Sequence, residues 1–406
     1  MNILHINQYD ILDGSAIAAH RLHQGLLNQG INSRLFVGRA TTRDDRIAVI
    51  PDKFPIATKL NHLLWHLGLN YLTILNTFDI PKHKFYQEAD ILNFHDILGG
   101  YFNYLALPHL TTDKPAVMTL HQMWSFTGHC SFSYECERWK IGCGKCPYPD
   151  EYPPIGIDNT HLEWKLKNWI YNRSSLTIVA PSSWLAEQAR QSMLNRFPIH
   201  HIPNGIDTEA YQPIDSEQCR SLLGIQPGKK VLMFGAIDLN YTRKGGDLLL
   251  KAIQSLPESL KAETVLLIIG RGGEAISKVV DIPTVNLGYV SSDRIKSIAF
   301  SAADLFIFPT RADNLPLVLQ ESMACATPMV SFKVGGVPDM VRPGITGYLA
   351  EPDNVQDLCN GIIQLLEDEK LKESMSQNCR EIALAEYSLE LQVKSYLKLY
   401  INILQN

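Results

Sequence analysis

Short apolar runs that alternate with helical patterns most constrain the fold of this 406-residue chain. Each run is continuously apolar, which is typical of strands buried on both faces of a parallel sheet. The runs form two series, the first at residues 2–7, 89–94, 116–120, 176–180 and 199–202, the second at residues 230–235, 264–270, 284–287, 304–309 and 328–332. Segments with helical spacing separate the later runs, for example 245–255, 291–301 and 315–326. The pattern predicts an α/β chain with two doubly wound domains.

A turn-rich stretch at residues 202–228 separates the two series. We therefore predict an N-terminal Rossmann-like domain over 1–205 and a C-terminal one over 206–388. The final segment, 389–406, has a helical pattern and is expected to cross back to the first domain. Ligands of such domains bind beyond the carboxyl ends of the strands, so we expect the active site in a cleft between the domains.

Composition and charge narrow the functional classes. An apolar fraction of 45% is enough for two packed cores. A net charge of −5 gives no electrostatic indication of nucleic-acid binding. The chain opens directly as a strand without a secretory pattern, so a cytoplasmic location is expected. The apolar segment 56–78 is interrupted by polar residues and does not read as a membrane span. A helix packed on its own domain is favoured there, while peripheral contact with the inner face of the plasma membrane stays open.

Asp313 and Glu321 stand eight positions apart, just after the apolar run 304–309. Pro316 suits the first position of a helix, with Asn314 or Asp313 as its cap. Glu321 falls within the apolar helix that follows, where a buried carboxylate needs partners such as the two hydroxyls of a ribose. An ordinary capped helix with one solvated acid explains the pair equally well.

Two adjacent cations, Arg243 and Lys244, precede a glycine-bearing helix start. Amides, helix dipole and side-chain charge together make such a place an anion site, although a pair of surface cations is the simpler alternative. Arg271 follows another strand, where a plain turn is nearly as well supported as a nucleotide contact. The backbone near Val290 follows a third strand and could contact a base edge.

The first domain offers a small-residue loop and two histidines. Gly14 and Ser15 lie between the first strand and its helix, where backbone amides could approach a phosphate or an acceptor closely. The loop lacks the GxGxxG pattern, so a dinucleotide cofactor is not expected. His95 and His121 each follow an apolar run, and two histidines at neighbouring strand ends favour a functional interpretation over a structural one.

Four cysteines, Cys130, Cys136, Cys143 and Cys146, crowd into one stretch of the first domain. A structural zinc ion with four thiolate ligands is one hypothesis for a chain without a secretion signal. The spacing Cys-x5-Cys-x6-Cys-x2-Cys is not a standard one, so free thiols and disulfides stay open as alternatives.

These segments together resemble one family. The segments DGSAIAAHRLHQGL, LHQMWSFTGHC, HIPNGIDTEAY, FGAIDLNYTRKGGDLL and PTRADNLPLVLQESMACATPMV look like those of retaining glycosyltransferases of family 4. The resemblance implies the GT-B fold, with two Rossmann-like domains facing each other across a cleft. It also implies a place in cell-envelope or exopolysaccharide biosynthesis. The cysteine-bearing stretch is similar to cyanobacterial enzymes for envelope polysaccharide, of the heterocyst glucosyltransferase type.

The resemblance implies a role for several residues of the second domain. The family's acidic pair falls on Asp313 and Glu321, with the first acid shortened from glutamate. Glu321 would hold the ribose hydroxyls, and Asp313 would face the donor sugar. The amides of Asn314 and Leu315 would close on the sugar hydroxyls and phosphate.

The remaining assignments concern the phosphates, the base and the acceptor. Lys244 matches the lysine that binds the diphosphate, while Ala236 replaces the usual partner arginine, whose role Arg243 is expected to take over. His121 would face the reacting side of the donor sugar. The other matches are Gly14, over the phosphates, and Val290, whose backbone would contact the base. Ser15 and Arg271 are further candidates for donor binding, and His95 and Trp124 mark the expected place of the acceptor.

The resemblance implies an enzyme that transfers a hexose, with glucose favoured, from a UDP-sugar to a polysaccharide or lipid-linked oligosaccharide. Use of GDP-mannose or UDP-N-acetylglucosamine is the alternative within the class. A sugar-nucleotide epimerase or phosphorylase, and a catalytically silent binding protein, stay open as other classes. No cofactor or catalytic metal is expected, because Arg243, Lys244 and the helix start can neutralise the leaving diphosphate.

Overall fold

A computed structural model describes residues 1–50 and 71–405 of the chain, which divides into two compact units. Unit 1 comprises Met1–Gly205 with Gln392–Asn406, and unit 2 comprises Ile206–Leu391. Each unit carries its own parallel sheet, one of seven strands and one of six. The predicted α/β class with two doubly wound sheets is confirmed.

The sheet of unit 1 has the strand order β3-β2-β1-β4-β5-β6-β7, with every described pairing parallel. Its strands are β1 (Asn2–Tyr9), β2 (Asn32–Arg39), β3 (Ile47–Val49), β4 (Ile91–Phe94), β5 (Ala116–Thr119), β6 (Thr177–Ala180) and β7 (Ile199–His201). Among the residues described before position 206, the helices are α1 (Gly14–Asn28), α2 (Lys84–Glu88), α3 (Leu107–Leu110), α4 (Thr160–Tyr171) and α5 (Ser183–Arg190). The strand order reverses between β1 and β4, so the crevice for a ligand lies beyond their carboxyl ends.

Unit 2 repeats this plan with the order β10-β9-β8-β11-β12-β13. Its strands are β8 (Lys230–Asp238), β9 (Thr264–Arg271), β10 (Thr284–Asn286), β11 (Leu305–Phe308), β12 (Met329–Phe332) and β13 (Gly347–Ala350). Its helices are α6 (Ser216–Leu222), α7 (Gly246–Gln254), α8 (Glu258–Glu263), α9 (Gly273–Ser277), α10 (Asp293–Ala302), α11 (Leu317–Ala324), α12 (Val355–Glu367) and α13 (Glu369–Glu386). The order reverses between β8 and β11, and two buried apolar clusters include residues of this sheet.

The last helix, α14 (Leu389–Gln405), docks its tyrosines on the sheet of unit 1. The Tyr400 hydroxyl accepts from Asn93 Nδ2 at 2.9 Å, and the Tyr396 hydroxyl lies 3.0 Å from Thr119 Oγ1. All four side chains are buried, so the contacts tie the helix to β4 and β5. The described residues also form short 3-10 helices at Leu75–Lys82, Tyr104–Ala106, Trp124–Phe126, Arg138–Lys140, Met193–Arg196, Thr242–Lys244 and Val337–Asp339.

Three strands were not predicted from the sequence. β2 mixes polar and apolar residues, while β3 and β13 are short strands at sheet edges that bury only part of their length. Most of the helix expected within 56–78 falls outside the described residues. At the end of that segment, a 3-10 helix begins at Leu75. Across residues 1–50 and 71–405, no helix combines the length and the hydropathy that a membrane crossing requires.

Candidate functional site

The loops after β8 and β11 meet at the point where the strand order of unit 2 reverses. The β8 loop turns through Thr242–Lys244 and enters α7 at Gly245, whose φ is +75°. A side chain at Gly245 would place its Cβ 1.8 Å from the carbonyl oxygen of Pro309, so only glycine allows the two loops to approach this closely. The approach places the cations of the β8 loop against the β11 loop.

Both of these cations contact the carboxylate of Asp313. Its Oδ2 accepts from Lys244 Nζ at 2.6 Å and from Arg243 Nη1 at 3.0 Å. Arg243 Nη1 also donates to the carbonyl oxygen of Ala312 at 2.5 Å. On the far side, Gly335 has a φ of +51° and packs so closely on the Asp313 carbonyl that a Cβ would lie 2.0 Å away. Asp313 is therefore held at its carboxylate by two cations and at its backbone by Gly335.

The contacts among Asp313, Lys244 and Arg243 shift the pKa of two of them, Asp313 and Lys244. Burial opposes ionisation of Asp313, but the charges of Lys244 and Arg243 outweigh it and hold the pKa of that carboxyl below its usual value. Burial, and then the neighbouring Arg243, lower the pKa of Lys244 to about 8 despite its bond to Asp313. Two cations share one carboxylate, so the cluster carries an excess positive charge suited to an anion.

The helix after Asp313 does not begin as predicted. α11 starts at Leu317, its N-cap residue is Pro316, and no side chain caps it. Neither Asp313 nor Asn314 serves as the cap, because the Asp313 carboxylate is already engaged by Lys244 and Arg243. The predicted cap is therefore wrong, while Asn314 and Leu315 lie buried in the segment between Asp313 and the helix.

Glu321 is buried within α11, with 3% of its surface exposed. Lys296 on α10 lies 3.7 Å away, measured from Nζ to Oε1. This cation gives the buried carboxylate a partner within the protein, so its burial does not by itself require a ribose.

Arg271 and Val290 lie at the β9–β10 edge of the same sheet. The Arg271 guanidinium stacks over the ring of Tyr289, 4.7 Å from its centre. Val290 is partly buried against the apolar cluster of unit 2. Their contacts with a nucleotide stay predictions.

Unit 1 has a second group of polar side chains where its own strand order reverses. Asp13 caps α1 by accepting from the amide of Ala16 at 2.8 Å, and the Ser15 hydroxyl donates to Asp13 Oδ1 at 2.7 Å. A Cβ at Gly14 would meet no atom within 4 Å, so the backbone is open at this helix start. Ser15 also lies 3.3 Å from Asp96 Oδ2 across the crevice.

Sequence reasoning missed Asp96, which directly follows β4 and His95. Gln122 Nε2 donates to its Oδ1 at 2.8 Å. Burial, and then the charge of Asp13, raise the pKa of Asp96 to about 7. Both Asp96 and Gln122 stand one position beyond a histidine that follows a strand, and this repeated placement is the signal that could have found them.

His95 and His121 lie in contact, and His5 on β1 extends them into a chain. His95 Nε2 lies 2.9 Å from His5 Nδ1, and His95 Nδ1 lies 3.1 Å from His121 Nε2. Burial lowers the pKa of His121 to about 4 and, with the neighbouring histidines, also lowers the pKa of His95 and of His5. The three imidazoles are therefore neutral near pH 7.

The contacts of the chain fix its tautomers. A neutral imidazole has one N–H, so His95 must donate at one nitrogen and accept at the other. Among the described residues, His5 Nε2 has no hydrogen-bond partner. A buried N–H without an acceptor is rarer than a buried lone pair without a donor, so His5 carries its proton on Nδ1. His121 then accepts at Nε2 and carries its own proton on Nδ1.

Trp124 is buried, with 2% of its surface exposed, and its ring is covered by Lys167 Nζ at 3.5 Å from the ring centre. Packing of this kind leaves little of the ring for an acceptor, and it disfavours the contact predicted for this residue.

Two family models match the chain. The model described as "Glycosyltransferase Family 4" matches residues 12–210, and the one described as "Glycosyl transferases group 1" matches residues 223–382. Together they span most of both units.

Individual proteins are similar over nearly the full length. The putative colanic acid biosynthesis glycosyl transferase WcaC of Escherichia coli K12 is 25% identical over 99% of this chain and 100% of its own. Among solved structures, sucrose-phosphate synthase from Thermosynechococcus elongatus superposes with a TM-score of 0.73 at 17% identity, covering 99% of both chains. Anabaena HepE in complex with UDP-glucose gives 0.67 at 16% identity, covering 99% of this chain and 100% of its own.

Two doubly wound parallel sheets with these structural neighbours define the GT-B fold. The chain is a glycosyltransferase, with a family 4 domain followed by a group 1 domain.

Proposed function

We propose that this glycosyltransferase transfers a hexose, with glucose favoured, from a UDP-sugar to a growing polysaccharide or lipid-linked oligosaccharide, with retention of configuration. The proposal rests first on the contact of Lys244 and Arg243 with Asp313 at the switch point of unit 2. Ligands of doubly wound domains bind at this point of the sheet.

Lys244 and Arg243 form the proposed diphosphate site. Cleavage of the bond between sugar and diphosphate develops negative charge on the leaving phosphate, and cations already in place stabilise that charge without reorganisation. We propose that these cations suffice and that transfer proceeds without a catalytic metal ion. Activity without added magnesium or manganese would support this part, and activity that appears only when one of them is added would contradict it.

Asp313 is proposed to bind the donor sugar rather than attack it. Retaining hydrolases use two carboxylates, one of them as a nucleophile about 5 Å from the other. Here the carboxylate is held by two cations, and electron density drawn towards them makes it a poor nucleophile. Displacement on one face of the sugar, with the leaving phosphate accepting the proton of the acceptor hydroxyl, fits this arrangement better. A covalent glycosyl–Asp313 species trapped with a slow donor would refute it.

The preference for UDP-glucose and for a polysaccharide acceptor rests on similarity. HepE of Anabaena was solved with UDP-glucose, and WcaC is named for colanic acid biosynthesis. A glucosyltransferase for envelope polysaccharide is the form of the proposal that these relatives support. Unit 1 is the proposed acceptor side, since Asp96 and Gln122 lie where that sheet reverses. Gly14, Ser15 and His121 stay proposed as contacts of unit 1 with the donor.

Ligand-linked stabilisation tests the donor directly. Tm is measured with UDP-glucose, UDP-N-acetylglucosamine and GDP-mannose at equal concentration. A ligand that binds only the folded state raises Tm by an amount that grows with the ratio of its concentration to its Kd, so the shifts rank the affinities of the donors. We expect the largest shift with UDP-glucose. A larger shift with GDP-mannose would indicate that the nucleotide of the donor is GDP and not UDP.

The substitution Lys244→Ala tests the diphosphate site. Donor turnover should fall by about a hundredfold or more, the usual loss when one charge-stabilising group is removed. Lys251→Ala is the matched control, because Lys251 is an exposed lysine on the helix that follows. Equal activity of the two variants would refute the site. Formation of a sugar epimer, or a strict need for inorganic phosphate, would instead indicate another reaction class.

A further inference from the structure

The four clustered cysteines of unit 1 line one small cavity together with His129. They lie on residues 128–147, here called the cysteine loop, which the proposed donor site does not use. Cys130 is buried, and Cys136, Cys143 and Cys146 are partly buried; all four are free thiols in the structure. Four cysteines that line one cavity match the number of ligands that a structural zinc ion takes.

The backbone of the cysteine loop is shaped around two of the sulfurs. Cys143, Gly144 and Lys145 are consecutive residues with positive φ, at +54°, +86° and +49°. Non-glycine residues rarely adopt this conformation, and they do so in tight turns that place side chains for a purpose. The amide of Gly128 donates to Cys143 Sγ at 3.2 Å, and the amide of Tyr148 donates to Cys146.

His129 is oriented towards the same cavity. Its Nδ1 lies 3.0 Å from the carbonyl oxygen of Pro153, which can only accept, so Nδ1 carries the proton. Its Nε2 lies 3.1 Å from Cys146 Sγ. Nε2 is therefore an acceptor for the Cys146 thiol, and His129 is placed to take up the proton that Cys146 would release on binding zinc.

Two cations flank the cluster. Lys167 is almost fully buried, and its Nζ donates to the carbonyl oxygens of Trp124 and Thr127 at 2.6 and 3.0 Å, within electrostatic reach of Cys143 and Cys130. Arg138 lines the cavity and donates to the Gly144 carbonyl at 3.0 Å. One zinc ion with four thiolates carries a net negative charge, which these cations would balance.

We propose that Cys130, Cys136, Cys143 and Cys146 bind one zinc ion as thiolates. In the structure, the described part of the chain contains no three His, Cys, Asp or Glu side chains arranged to hold a metal. Binding therefore has to draw the sulfurs inward, to about 2.3 Å from the ion. The ion would join Cys130 to the turn at 143–146 and so close a loop whose described structure holds only one 3-10 turn. The proposal does not depend on the identity of the sugar donor.

Metal and thiol content test the proposal on the full-length protein. Protein produced in zinc-supplemented medium should carry about one zinc per chain by elemental analysis. After denaturation with a chelator, all 8 cysteines of the chain should react as thiols. Zinc at background level, or a loss of four thiols to two disulfides, would overturn the proposal.

Substitution assigns the ligands. Cys143→Ser should abolish zinc binding, whereas Cys359→Ser, which alters a buried cysteine of unit 2, should leave zinc content unchanged. If Cys143→Ser fails to fold, zinc binding is tested on the unaltered protein instead. Titration of its thiols with a mercurial reagent should release the zinc, and the chelated protein should melt at a lower Tm. Unchanged Tm and no released zinc would contradict the site.

Discussion

Lys244 Nζ lies 2.6 Å from Asp313 Oδ2, so the residue proposed to bind the donor's diphosphate already contacts the residue proposed to bind its sugar. Arg243 holds the same carboxylate oxygen at 3.0 Å. A diphosphate that enters this site competes with Asp313 for both cations. Because of this competition, Asp313 should weaken the binding of the diphosphate while it supports turnover of the donor.

Asp313→Asn should therefore act in opposite directions on two measurements. Removal of the competing negative charge should tighten UDP binding by about threefold to tenfold, the effect of about 1 kcal/mol. Donor turnover should fall by about tenfold or more, since the proposed contact of Asp313 with the donor sugar would be weakened in the transition state. Calorimetry gives the first value and initial rates give the second.

Asp313→Glu is the matched control for this substitution, because it keeps the charge. We expect it to retain UDP affinity close to that of the unaltered protein. Weaker UDP binding by Asp313→Asn would contradict the proposed competition, whatever its turnover.

Lys244 should make UDP binding depend on pH. Its pKa is lowered to about 8 in the folded protein, first by burial and then by Arg243, and a bound diphosphate should raise it again. Binding near pH 8 should therefore take up protons, and UDP affinity should fall as the pH rises through this value. Calorimetry in buffers of different ionisation enthalpy measures the uptake.

Lys244→Arg removes the titrating group while keeping the charge, because a guanidinium stays protonated throughout this range. Its UDP affinity should vary less between pH 7 and about 9, and its proton uptake should vanish. Uptake of the same size in this variant would assign the effect to another group.

The pattern of apolar runs located most of both sheets, because buried parallel strands are almost wholly apolar and short. It missed β2, β3 and β13, in which exposed or edge positions break that pattern. No local signal distinguishes such strands, since their pairing with a neighbour decides them.

Local reasoning about the site succeeded in part. It selected Arg243, Lys244 and Asp313 separately, and the fold brings them into contact. It failed at the start of α11, where charge pairing between loops 70 positions apart outweighs capping of the nearest helix. It also missed Asp96, whose one local signal is its place after His95, because its raised pKa arises from burial and from the charge of Asp13, which only the fold brings close.

The histidine chain predicts a specific tautomer. His121 should carry its proton on Nδ1, and it should stay neutral down to about pH 5 because burial lowers its pKa to about 4. Nitrogen NMR shifts of labelled imidazoles distinguish the tautomers. His95→Phe should mix the two forms of His121, since it removes the contact at Nε2. A proton on Nε2 in the unaltered protein would contradict the assigned direction of the chain.

The tyrosines of α14 should stabilise unit 1 specifically. Tyr400→Phe removes the acceptor of Asn93 Nδ2 and leaves a buried amide unsatisfied, so the free energy of unfolding should fall by about 1–3 kcal/mol. Ile401→Ala, at an exposed position on the same helix, is the control and should change it by about 0.5 kcal/mol or less. Hydrogen exchange locates the effect: amides of β4 and β5 should exchange faster in Tyr400→Phe, while those of β8 and β11 should not. Equal acceleration in both sheets would show that the helix does not stabilise unit 1 selectively.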